Sequence, residues 1–418
     1  MARIVLLAAT TGYQTQSFAA AARRLNVAVK LATDRCHILE DPWRDQAIAV
    51  RFEEPWESAK ELARSLDLLR VDGIAAVADR PTLVAAYLAE FLGLPWHPVH
   101  AVAACRDKHR MRMQFAEAGL ATPRYKKVAL DETPPDVDFP CVLKPLGLSA
   151  SRGVIRADNR AELEAAFARI RRILEQPEIL AMREYANRAI QIEEYIAGRE
   201  FAVEGVMTDG VLRVLAVFDK PDPLEGPYFE ESIYVTPSRE PAAVVEAIVD
   251  TTRRAAQALD LWHGPIHAET RVNERGVYML EIAARPIGGL CARALRFRMP
   301  CREDTFSLEE LLVLHAIGEM PAQLAPASAA SGVMMIPVPR AGFFESVSGV
   351  EKARAVPGID DVVITAKTGE KLVPLPEGAS YQGFLFASGP DARFVEEALR
   401  RAHGELRFEV LGTLPVVL

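Results

Sequence analysis

With 418 residues, half of them hydrophobic and a quarter charged, the chain has the balance of an ordinary soluble globular protein and is long enough for two or three domains. Its formal net charge of -8 argues against a general nucleic-acid binder, and no run approaches the roughly 20 apolar residues of a membrane span. Five scattered cysteines with no C-x-x-C pair point to buried thiols in a reducing compartment, so a cytoplasmic protein is expected.

In chain order, the opening run 3–9 reads as a β-strand and not a signal peptide, because its apolar stretch ends without a small-residue cleavage pattern. Residues 27–33 and 73–79 read as further buried parallel strands, with amphipathic helices between them. The result is a small doubly wound α/β domain over residues 1–104. Its first strand leads into Ala8-Ala9-Thr10-Thr11-Gly12, which lacks G-x-G-x-x-G, so a dinucleotide-dependent oxidoreductase is disfavoured.

Asp107 is a natural N-cap for KHRMRMQFAEAG, and Gly119 ends that helix. A Pro/Asp-rich break at 133–140 precedes a new unit: a strand at 141–144, a Gly/Ser loop at 146–152, a strand at 153–156 and a helix over 160–175. Strands are then expected at 190–196, 201–208 and 211–218, followed by a helix over 242–259. Residues 321–331 read as a linker, and 332–418 as a final strand-helix unit.

Three stretches carry chemistry. In FPCVLKPLGLSASRGV, Lys144 stands at a strand end where it can contact a phosphate, and the following Gly/Ser loop can turn backbone N–H groups towards a polyphosphate; no P-loop signature is present. In IEEYIAGREFAVEG, a strand carrying Glu193 and Ile196 turns at Gly198 towards Glu200, an arrangement able to offer backbone to a base and a carboxylate to a sugar. In HAETRVNERGVYMLEIAARPIGG, the turn Asn273-Glu274-Arg275-Gly276 sets Glu269 and Glu281 on adjacent strands, with Arg285 just beyond. Converging carboxylates beside an arginine suit a divalent cation that carries a triphosphate. A glutamate pair on a hairpin also occurs on plain exposed sheets.

Taken in order, with Lys108 in RDKHRMR ahead of them, these stretches resemble the ATP-grasp superfamily of carboxylate-amine ligases. The resemblance covers roughly residues 1–320. It implies an α/β and α+β multidomain protein: a pre-ATP-grasp domain (1–104), an ATP-grasp domain (105–320, with a lid at about 123–192) and a small α+β C-terminal domain (321–418). Lys108, Lys144, Ser149, Ser151 and Gly153 would bind ATP phosphates, Glu193 and Ile196 would meet adenine through their backbones, and Glu200 would hold ribose. Glu269 and Glu281 would ligate Mg²⁺, or Mn²⁺ in its place, and Arg285 with Lys144 would be catalytic. Ala283 stands where many members carry a metal-ligating Asn, which weakens a second metal position.

Within the superfamily the chain looks most like the L-amino-acid ligases, through E-I-A-A-R-P-I-G-G-L and the final domain. The implied reaction joins a carboxylate to an amine through an acyl phosphate, releasing ADP and phosphate, with amino acids as substrates. The alternatives are a non-amino-acid carboxylate, or an ATP-binding regulatory protein without turnover. Two substrate contacts are read from the residues: Arg293, Arg296 and Arg298 as a carboxylate clamp, with a basic helix face as the alternative, and Tyr228 and Glu230, in the Pro/Gly-rich insertion 219–232, as lining of the substrate pocket, with a plain surface loop as the alternative. His263 and His267 are read as structural. A homodimer is common among resembling enzymes.

Overall fold

A computed structural model describes residues 1–9, 14–34, 47–66, 69–300 and 304–412; residues 10–12 of the first loop, Cys36 and Cys301 lie outside that set. The N-terminal strands β1 (Arg3–Ala8), β2 (Ala28–Thr33), β3 (Ile48–Ala49) and β4 (Gly73–Val77) form one parallel sheet in the order β3-β2-β1-β4. Both faces of β1 are covered, which is why its side chains are a continuous apolar run instead of an alternating one. Asp107 caps the helix Lys108–Glu117 by accepting from the backbone N–H groups of His109 and Arg110, and the left-handed Gly119 (φ 66°) follows its end.

The next unit is an antiparallel sheet of β5 (Tyr125–Ala129), β6 (Cys141–Pro145), β7 (Ile155–Ala157) and β8 (Ala189–Glu194), ordered β5-β8-β6-β7. Helix Arg160–Leu174 lies over it. Its apolar residues Leu163, Phe167, Ile170 and Leu174 recur at three- and four-residue spacing and are all buried. Each contributes roughly 1.5–3 kcal/mol through removal of its side chain from water.

The central strands are β9 (Arg199–Thr208), β10 (Val211–Lys220), β11 (Ile233–Thr236), β12 (Gly264–Asn273) and β13 (Gly276–Ala283). Three short strands, β14 (Arg296–Arg298), β15 (Thr305–Ser307) and β16 (Ala325–Pro326), make a side sheet. The chain ends with β17 (Ala330–Ile336), β18 (Gly342–Ser348), β19 (Ile359–Ile364), β20 (Lys371–Leu372), β21 (Gly383–Gly389) and β22 (Arg407–Leu411).

One eight-stranded sheet, β13-β12-β9-β10-β11-β17-β21-β19, runs through the centre of the molecule. The β11–β17 ladder joins the nucleotide-type unit to the C-terminal one, so the two share a sheet. The stretch 321–331 is therefore only partly a linker: Ala330 and Ser331 already belong to β17. No helix among the described residues is long and apolar enough to cross a membrane.

Candidate active site

A cleft of about 310 Å³ opens between the lid sheet, the central sheet and the C-terminal end of β4. Lys108, Lys144, Ser149, Ser151, Glu193, Ile196, Glu200, Glu269, Glu281 and Arg285 all line it. Residues up to 206 positions apart are brought into contact there, as Arg285 and Asp79 show.

On the lid side, the buried Glu193 carboxylate lies between Arg112 Nε and Lys144 Nζ, at 2.7 Å from each. Burial opposes its ionisation, but the Arg112 and Lys144 charges outweigh burial and hold it at about 2. Lys144 is thereby held at the mouth of the cleft with a fixed counter-charge behind it. Lys108 Nζ donates to Leu148 C=O at 2.8 Å and lies 3.6 Å from Glu281 Oε2, facing the loop that carries Ser149 and Ser151.

On the opposite wall, Glu269 and Glu281 are direct cross-strand partners in the β12–β13 ladder, so both project from the same face. The turn joining the two strands closes with Asn273 Oδ1 accepting from Arg275 N–H and with Gly276 at φ 122°, a backbone conformation that suits glycine, and a bulge between the Thr270–Met279 and Glu269–Glu281 pairs shifts the ladder by one residue. The row two residues along the same face runs Glu204, His267, Ala283. His267 Nδ1 is 2.6 Å from Glu204 and its Nε2 is 3.5 Å from Glu269. Burial disfavours the imidazolium, yet the two carboxylates raise its pKa to about 9.

Oxygens of Glu200, Glu231 and Glu269 lie within 4.8 Å of one another, and the buried ammonium of Lys220 sits among them: 2.8 Å from Glu200, 3.0 Å from Glu269, and in contact with Glu231. Burial raises the Glu231 carboxyl, with only Lys220 to oppose it. For Glu269 burial acts the same way, but Lys220 and His267 together hold it well below the usual range. The two therefore diverge because one has two cations beside it and the other has one.

Arg285 donates from Nε to Asp79 at 2.8 Å. Burial works against both charges, and their mutual attraction restores them: Asp79 is lowered and Arg285 raised. At the apolar end of the cleft, Arg271 lies over the rings of Tyr195 and Phe229 at 5.2 and 5.5 Å. It donates to Glu200 at 2.8 Å, to Ile196 C=O at 2.7 Å and to Leu224 C=O, tying the sugar-type carboxylate to the strand end beside it.

Several expectations need correction. The backbone of Glu193 is not free to meet a base, because β8 is an interior strand whose backbone groups serve its neighbours β5 and β6, and it is the carboxylate that lies in the cleft wall. Gly153 is not in the wall of the cleft; its N–H donates to Pro376 C=O at 2.9 Å. Tyr228 and Glu230 are also absent from the wall, which instead holds their neighbours Phe229 and Glu231, since successive residues of an extended segment face opposite ways.

Arg293, Arg296 and Arg298, expected as a carboxylate clamp, do not line the cleft: β14 buries Phe297 and leaves Arg296 and Arg298 in solvent. Arg293 pairs with Asp361 at 3.0 Å and lies over Phe386, outside the cleft. His267, read as structural, is in the wall. Lys220, Glu231, Arg271, Arg112 and Asp79 were not singled out from the sequence. A lysine ending the apolar strand β10 was the one available hint.

Residues 137–294 match the ATP-grasp domain, and residues 334–411 match the L-amino acid ligase C-terminal domain 2. The chain carries an ATP-grasp domain followed by an L-amino acid ligase C-terminal domain. Among its relatives is an alanine–anticapsin ligase of Bacillus subtilis, 27% identical over 295 residues, which spans 66% of this chain and 62% of that protein. An uncharacterized protein of Sinorhizobium fredii is 23% identical over 349 residues, 82% of this chain and 68% of that one.

The fold is shared with an L-amino acid ligase from Bacillus licheniformis at TM-score 0.79, 24% identity and 99% coverage of each chain. It is also shared with an N5-carboxyaminoimidazole ribonucleotide synthetase from Thermotoga maritima at TM-score 0.69 and 17% identity, covering 99% of this chain and 100% of that one. The match thus spans just under two thirds of the anticapsin ligase.

Proposed function

We propose that this chain is an ATP-dependent ligase that joins the carboxylate of one amino acid to the amine of another through an acyl phosphate. The observation that carries the reading is the cross-strand pair Glu269–Glu281 facing Lys108, Lys144 and Arg285 across one cleft. The relatives support amino acids as substrates.

Both faces of the cleft fit Mg-ATP. The carboxylate oxygens of Glu269 and Glu281 are hard donors suited to Mg²⁺, which when bound would neutralise the triphosphate and polarise its terminal phosphoryl group. Lys144, backed by Glu193, and Lys108, beside the Ser149–Ser151 loop, would hold phosphate oxygens. Glu200, oriented by Arg271 and Lys220, would accept from the ribose hydroxyls. Tyr195, Ile196, Leu224 and Phe229 provide an apolar slot for the base.

A substrate carboxylate oxygen attacks the terminal phosphorus and ADP departs; the amine then attacks the acyl carbon and phosphate departs. Arg285, oriented by Asp79, stabilises the charge on the acyl phosphate. No protein nucleophile is required, and burial pushes the thiols of Cys105, Cys141 and Cys291 up, away from reactive thiolates.

Phosphate release from Mg-ATP, measured across pooled pairs of amino acids, tests the reading. Release should require a particular pair and fall at least ~100-fold in Glu281→Gln. Release independent of any amino acid, or retained in that variant, overturns it.

A further inference from the structure

The C-terminal unit touches the lid at a place that the ligase reading does not use. After β20 the chain runs through residues 374–382 as a strap whose two ends lie at different structures. Its far end is fixed in the C-terminal sheet: Gln382 N–H donates to Ile336 C=O at 2.9 Å, its side chain donates to Pro337 C=O at 2.7 Å, and Thr365 donates to Tyr381 C=O at 3.0 Å. Tyr381 itself lines the cleft.

The near end grips the lid. Glu377 takes two parallel hydrogen bonds from Arg169 of the lid helix, at 2.6 and 2.9 Å, and Arg169 also reaches the Tyr228 hydroxyl. One residue earlier, Pro376 C=O accepts from Gly153 N–H, two residues beyond Ser151 in the phosphate loop. Gly153 itself cannot be displaced by a larger residue without cost, since a Cβ there would lie 2.6 Å from Pro145. A paired guanidinium-carboxylate bond has a defined geometry, so it constrains the lid helix in direction as well as distance.

We propose that this strap is a latch by which the C-terminal unit holds the phosphate loop over the nucleotide, with Glu377 as the positioning residue. The proposal rests on the ATP reading above for what the loop covers. It assigns the C-terminal unit a part in nucleotide binding: the loop that carries Ser149 and Ser151 closes against a fixed carboxylate and carbonyl that the ATP-grasp domain does not supply. Neither Glu377 nor Arg169 touches the cleft, so the latch acts on nucleotide affinity and loop opening and leaves the chemical step alone.

The full-length protein would be studied as Glu377→Gln, Arg169→Gln and the exchanged pair Arg169→Glu with Glu377→Arg. Two readouts are needed: hydrogen exchange of backbone amides in 146–154, and calorimetric affinity for a magnesium complex of a non-hydrolysable ATP analogue. Each single variant should speed amide exchange in the loop and weaken analogue binding about three- to tenfold, the range of one well-oriented ion pair. The exchanged pair should recover both, and kcat at saturating Mg-ATP should stay within about twofold.

Native loop exchange and native affinity in the single variants would overturn the latch. So would failure of the exchanged pair to recover them, which would reveal a general loosening of the fold. If the native protein does not bind the analogue at all, the nucleotide reading is what fails, while the exchange measurement still reports on the latch.

Discussion

Lys220 holds the acidic wall of the cleft together, since three carboxylates converge on its one buried ammonium. Removing a buried charge leaves its partners uncompensated, which costs about 3–5 kcal/mol. Lys220→Met is therefore expected to lose that much stability in urea unfolding, and to recover part of it when Mg²⁺ is added. An unchanged unfolding midpoint would mean that the three carboxylates are not held by this lysine. At this scale the sequence was an uneven guide. The Asn273–Gly276 turn placed Glu269 and Glu281 on adjacent strands, but counted from that turn Glu269 would face Leu280, and a bulge between Met279 and Glu281 is what brings the two glutamates opposite each other. Glu231 was not legible: in an extended segment, sequence offers two alternate faces, and only packing decides that Phe229 and Glu231 turn inwards and Tyr228 and Glu230 away.

Among the elements, strand β4 shows how closely the units are packed. A Cβ on Gly73 would lie 2.1 Å from the carbonyl oxygen of Ala316, at the end of helix Leu308–Ala316. The obstacle is backbone, so no side chain can swing aside. Gly73→Ala should destabilise the protein by about 1–3 kcal/mol, read as a lower urea midpoint with an unchanged slope. A native midpoint would show that helix and sheet can separate freely. Helix boundaries were within reach of sequence because caps are local: Asp107 accepts from the backbone two and three residues on, whatever lies around it. The arginines around β14 drew attention because three in six residues look like a site until alternation across Phe297 sends two of them to solvent.

Across the whole molecule, three histidines from different units meet. His97 Nε2 lies 3.1 Å from Pro265 C=O, and the rings of His263 and His315 stack at 4.2 Å. Burial lowers all three pKa values from 6.5, His97 to about 3 and His315 to about 4. The folded state thus refuses protons that the unfolded chain accepts, so stability falls as pH drops below 6.5, the loss continuing towards the folded values. The slope approaches about 1.4 kcal/mol per pH unit for each such histidine. Between pH 6.5 and 5 the depressed carboxylates, such as Glu193 with its ordinary value of 4.5, contribute little, while Glu231, raised to about 7, binds a proton that the unfolded chain does not and so offsets about one of the three histidines. Tm should therefore fall over that window, and fall less steeply in His315→Phe. A flat Tm profile would show that these histidines accept protons without opening the interface.

By itself, the sequence determined the class of fold, the strands and helices of its first units and the turn that sets Glu269 and Glu281 on adjacent strands. Those features follow from local signals, namely apolar periodicity, caps and a short hairpin loop, whereas the exact partner of Glu269 depends on a bulge further along the ladder. Only the tertiary structure decided that the Glu193 carboxylate pairs with Arg112 and Lys144, that Lys220 joins three carboxylates, that Asp79 holds Arg285 and that Glu377 reaches Arg169. Each of those contacts brings together residues distant along the chain, and a side chain's partner at that separation is set by how sheets stack and which face of a strand is buried.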